Sequence, residues 1–103
     1  MKYTVIVSPN AKEQLVTKAA ELTIVQDEAL GQKFIDAFIS GKESLENMPE
    51  RGARRLKYLP PMYRLIPFWL HLWLVYRVNK KEKVVYIDLV LDDRSDYGSL
   101  FDT

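Results

Sequence analysis

Apolar residues change their spacing twice along this chain. Tyr3, Val5 and Val7 alternate with Thr4, Ile6 and Ser8, the period-2 pattern of a strand. From Ala11 the step lengthens. Ala11, Leu15, Ala19 and Leu22 share one face at helical spacing, and Leu30, Phe34, Ala37, Phe38, Gly41, Leu45 and Met48 repeat this over a longer run. After Pro60-Pro61 come three closely spaced strand-like runs, Met62–Phe68, Leu70–Val78 and Val84–Leu91. The element order is therefore β-α-α-β-β-β.

Local chemistry sets the boundaries. Ser8-Pro9 reads as an N-cap followed by the first helical residue: the serine oxygen takes an orphan amide, and proline has none to lose. The β-branched Thr23-Ile24-Val25 weakens the first helix, and Asp27 with Glu28 starts a second that runs to about Asn47, with Ser40-Gly41 as its point of bending. Pro49 and Gly52 end it, and Ala53–Leu59 is a loop or a short edge strand. Asn79-Lys80-Lys81-Glu82-Lys83 is a polar connection short enough for an antiparallel hairpin. Two amphipathic helices need an apolar cover, and the strands supply it. The expected fold is α+β: an antiparallel sheet of about four strands with an N-terminal α-helical hairpin packed on one face, all within a single domain spanning residues 1–103.

Parity divides the sheet into two faces. Leu72, Leu74, Tyr76 and Val78, with Val85, Ile87, Leu89 and Leu91, form the set expected beneath the helices. His71, Trp73, Val75 and Arg77, with Val84, Tyr86, Asp88 and Val90, form the set expected on the open side. Tryptophan beside arginine and histidine has the composition of a recognition surface. The competing reading covers Trp73 with the Pro60–Phe68 segment, as core. Polar residues massed after the last strand, Asp92-Asp93-Arg94-Ser95-Asp96-Tyr97, lie at the sheet's rim, where loops carry function.

Composition narrows the chemistry. There is no cysteine and a single histidine, so neither a disulfide framework nor a thiolate metal site is available; no cofactor and no metal are expected. The run Ile66–Val75 is broken by Pro67 and His71 and is about half of the ~20 residues a membrane span needs. Met1-Lys2 leads straight into a strand-like run, so a cytoplasmic location without a membrane is expected. Net charge is only +1, yet residues 51–83 carry 9 basic side chains against 1 acidic. That block favours a polyanion or an acidic peptide on one side of the fold. Arg54, Arg55, Lys57, Trp73 and Arg77 are the expected macromolecule-binding residues.

The order β-α-α-β-β-β, with the strings Leu74-Val75-Tyr76-Arg77-Val78 and Arg94-Ser95-Asp96-Tyr97, resembles the RelE/ParE family of small bacterial toxins over nearly the whole chain. The resemblance implies the toxin of a toxin-antitoxin system, neutralised by a cognate antitoxin laid as helix or strand across its grooves. It offers two targets. In a RelE-like enzyme cleaving ribosome-bound mRNA, Arg64 and Arg94 would hold phosphate and Tyr97 would transfer a proton; the guanidinium fork suits a pentavalent phosphate. A ParE-like toxin instead binds DNA gyrase and needs an interface rather than a tuned base. Trp73 stands where family nucleases carry arginine, and Asp92-Asp93 precede Arg94, which tilts the reading toward gyrase. A noncatalytic interaction module that has lost toxicity is the third alternative.

Overall fold

In the computed structural model, which describes residues 2–52 and 60–93, the chain forms β1 (Thr4–Val7), α1 (Pro9–Glu21), α2 (Glu28–Asn47), β2 (Tyr63–Trp69), β3 (Leu72–Asn79) and β4 (Val84–Asp92). Ser8 caps α1, its Oγ accepting the Ala11 amide at 3.1 Å with Pro9 in the first turn. Asp27 caps α2 through Ala29 at 2.8 Å. Between the helices the β-branched run widens the coil: Leu22–Gln26 form one π-helical turn, closed by the Asp27 amide on the Leu22 carbonyl at 2.8 Å.

The strands form one sheet in the order β1-β4-β3-β2. β2, β3 and β4 are antiparallel neighbours as expected, but β1 runs parallel to β4, pairing Thr4 with Val84 through Val7 with Ile87. The sheet is mixed, not antiparallel throughout. A parallel pair needs a long crossover, and here the entire path from α1 to β3 provides it.

A second departure lies in β4. Val75 pairs with Leu89 while Tyr76 pairs with Ile87, so Asp88 is an extra residue, a bulge. Parity therefore holds for Val85 and Ile87 and reverses beyond Asp88. Val90 joins the helix-side core, whereas Leu91 is buried with Leu65 and Val75 in a separate cluster on the other face, with Leu89 packed against it. Strict alternation had assigned Leu89, Leu91 and Val90 to the opposite faces.

Where β1 stops and β4 continues, α1 takes over the exposed edge. The Ser8 amide donates to Ile87 O at 2.8 Å and its Oγ to Asp88 O at 3.0 Å. The Gln14 side chain then imitates a strand, donating to Val90 O and accepting from Val90 N, both at 2.9 Å. Each pairing satisfies a backbone group that would otherwise be orphaned beneath the helix.

The main core lies between the helices and the sheet. Phe34 is 1% exposed, stands edge-on to Trp69 at 5.6 Å and is tilted against Phe68 at 5.7 Å. Leu15, Leu45, Leu74, Tyr76 and Ile87 complete the layer.

Candidate functional site

The open face of the sheet is organised by the bulge. Asp88 receives Arg77 Nε at 2.7 Å and the Tyr63 hydroxyl at 3.0 Å, both on Oδ2. Register explains the meeting: Tyr63 pairs with Arg77 across β2–β3, and Arg77 pairs with Tyr86 across β3–β4. The Arg77 guanidinium also lies over the Tyr86 ring, 4.2 Å from its centroid. One arginine is thus held from two sides, with its terminal nitrogens directed away from Asp88. Burial and the Asp88 bond push the Tyr63 phenol above its usual pKa, and the same carboxylate raises that of Arg77 further. Both groups keep their protons at neutral pH.

A second cluster sits at the other end of β3. His71 lies in the turn between β2 and β3, its Nδ1 3.1 Å from Asp93 Oδ1; Trp73 Nε1 donates to Asp93 Oδ2 at 3.1 Å. The Asp93 amide donates to His71 O at 2.8 Å, so backbone and carboxylate together fix the indole. The preceding turn residue, Leu70, is 81% exposed and has a φ of 41°, a left-handed conformation that disfavours any side chain but glycine or asparagine.

Arg64 faces the other way. It pairs with Tyr76 in register and shares the helix side with Ile66. Its Nη1 donates to Gly52 O at 2.9 Å and to Glu50 O at 3.2 Å, and Nη2 lies 3.6 Å from the Glu50 carboxylate. The buried Tyr76 hydroxyl accepts the Gly52 amide at 2.9 Å, and burial raises its pKa. A Cβ on Gly52 would fall on that hydroxyl and within 2.8 Å of Leu65 O, so the chain leaving α2 is pressed onto the sheet as only glycine allows. Asp93, the last described residue, lies two strands across and four residues along from Arg64, on the order of 15 Å away by sheet geometry. The expected site residues Arg54, Arg55, Lys57, Arg94 and Tyr97 lie outside the described residues.

The structure therefore brings Arg77 together with Tyr86 and Asp88, and His71 with Trp73, and separates Arg64 from both groups. Parity reasoning missed Tyr63 and Asp93 as partners. An aspartate within the apolar run Val84–Leu91 was the available signal for the bulge, and hence for an ion pair on Arg77. Among the described residues no cluster of histidine, aspartate and glutamate could hold a metal, and no helix is long and apolar enough to cross a membrane.

Residues 5–97 match the family described as ParE toxin of type II toxin-antitoxin system, parDE. The chain belongs to the ParE toxin family. Two solved structures share its fold. A chain of the chromosomal ParDE toxin-antitoxin system from P. aeruginosa superposes with a TM-score of 0.72 at 14% identity, covering 88% of this chain and 96% of that one. A chain of the toxin-antitoxin complex RelBE2 from Mycobacterium tuberculosis gives 0.64 at 18% identity, covering 89% and 99%. No curated protein matches significantly. The ParE-type fold accordingly spans nearly the whole chain, and the helical hairpin and four-strand sheet described above are its framework.

Proposed function

We propose that this ParE-family toxin arrests growth by binding a protein target, with DNA gyrase the first to test, and that a protein antitoxin holds it inactive. The observation carrying this reading is the state of its arginines. Arg77 is neutralised on the open face by Asp88, and Arg64 is turned into the helix side against backbone carbonyls. With Asp88 and Asp93 both on the open side, the described part of that face offers a pentavalent phosphate no uncompensated arginine. An RNA phosphate approaching it would meet carboxylates at short range, which is repulsive. A protein partner meets an oriented guanidinium, a tyrosine beneath it and a fixed tryptophan, the side-chain types that dominate protein interfaces. The antitoxin partner is supported by the toxin-antitoxin complexes that share the fold.

The test is induced expression without antitoxin, reading growth, transcript integrity and DNA-damage signalling in one culture. Arrest with intact mRNA and a damage response is expected, relieved by Arg77→Met. Messages cut at ribosomal A sites, with arrest relieved by Arg94→Ala and Tyr97→Phe, would overturn the reading in favour of a nuclease. Growth unaffected at any expression level would leave an interaction module without toxicity.

A further inference from the structure

One feature lies apart from the open face. A groove of about 380 Å³ runs between α2 and β2, lined by Ala37, Ser40 and Ser44 on the helix, Ile66 and Phe68 on the strand, and Arg51. We propose that it receives an extended acidic segment of the protein partner, laid along β2 with a carboxylate on Arg51. This deepens the antitoxin reading above and rests on it for the partner's identity.

Three observations carry the assignment. β2 is the outermost strand and has no strand on its other side, so its outward backbone groups can pair with an added chain. Arg51 is exposed and takes no ion-pair partner; the adjacent Glu50 carboxylate is instead shared by Arg64 at 3.6 Å and Lys80 at 3.1 Å. That shared glutamate also joins two basic stretches separated in sequence, Arg51 and the Lys80–Lys83 turn, into one positive end of the molecule. A carboxylate arriving on Arg51 therefore enters a favourable field.

The groove's chemistry selects a peptide over a nucleic acid. Its strand wall is Ile66 and Phe68, which complement the alternating side chains of an added strand, and the whole chain carries a net charge of only +1. Pro67 removes one donor from this edge, which discourages two such edges from pairing with each other. β2 is 7 residues long, so the segment it accommodates is of similar length, about 23 Å extended.

The test uses the purified full chain, made in a cell-free system, and a fluorescent peptide of roughly seven residues alternating glutamate with valine. Anisotropy should report saturable binding that weakens roughly five- to tenfold in Arg51→Glu, as one exposed attraction becomes a repulsion. Ser40→Gln should weaken it as well, by filling the groove from the exposed helix face without changing charge. Lys81→Glu alters net charge as much as Arg51→Glu and should have the smaller effect. Amide shifts on peptide addition should concentrate in β2. No binding, equal loss in Lys81→Glu and Arg51→Glu, or shifts centred on Trp73 and Arg77 would each overturn the proposal. Growth is not read in this assay. Binding by a chain that never arrests growth would sink the toxin reading alone, and arrest by a chain that binds no peptide would sink the groove alone.

Discussion

On the helix-covered side of the sheet, Arg64 donates to two backbone carbonyls and its side chain is 19% exposed; on the open side, Arg77 answers a carboxylate and remains 41% exposed. Both arginines lie in the same basic block, and residue type does not distinguish them. Their surroundings do. Arg64 replaces water on carbonyls that the end of α2 would otherwise leave poorly satisfied, a structural task. Arg77 is aimed and kept in solvent, at little benefit to stability, as expected of a contact residue. The lesson is that a cation's role follows from what satisfies it.

The comparison breaks most visibly in the helix-side core. Phe34→Ala removes a ring packed on Phe68 and Trp69 and should cost about 3–5 kcal/mol, read as a lowered urea midpoint. Any cost under about 1 kcal/mol would mean that the helices do not seal this face. Tyr76→Phe comes next. It strands the Gly52 amide in a buried site and should cost about 1–3 kcal/mol.

The same residue supplies a pH test. Burial raises the Tyr76 phenol above 10.0, so the folded state retains a proton that the unfolded chain loses. Stability is then undiminished below pH 10.0 and falls as pH climbs from there through the folded value. The decline, followed by circular dichroism, should be shallower in Tyr76→Phe.

The arginines themselves sharpen the contrast. Arg64→Met should cost about 1–3 kcal/mol by removing charge-assisted bonds to the chain. Arg77→Met should stay within about 1 kcal/mol of the parent while relieving growth arrest. The reverse pattern would reassign the two side chains. The smallest effect is expected at Leu70, where replacement by glycine relieves a left-handed φ of 41° and should raise stability by about 0.5–1 kcal/mol. If Leu70→Gly also blunts growth arrest, the exposed leucine belongs to the target interface.

Local rules carried the secondary structure far. The Ser8 and Asp27 caps, the end of α2 at Asn47 and all four strands are legible because each depends on neighbours within a few residues. Gln14 was not legible. Its role depends on β1 stopping at Val7 while β4 runs on to Asp92, a mismatch visible only once the two strands lie side by side. The site was half legible. Trp73 and Arg77 fell on the open face by parity, whereas Asp93 and Tyr63 became their partners through the turn and register of β3.

By itself, the sequence determined the order of elements, the caps, the covering of one sheet face by two helices, and the resemblance to a toxin family that the match over residues 5–97 establishes. The tertiary structure alone decided that β1 runs parallel to β4, that Asp88 reverses the strand's parity, and that Arg64 and Arg77 answer to different partners. The physical reason is range. Caps and periodicity arise from contacts between near neighbours, whereas the satisfaction of a charge depends on whichever distant group the folded chain carries within about 3 Å of it.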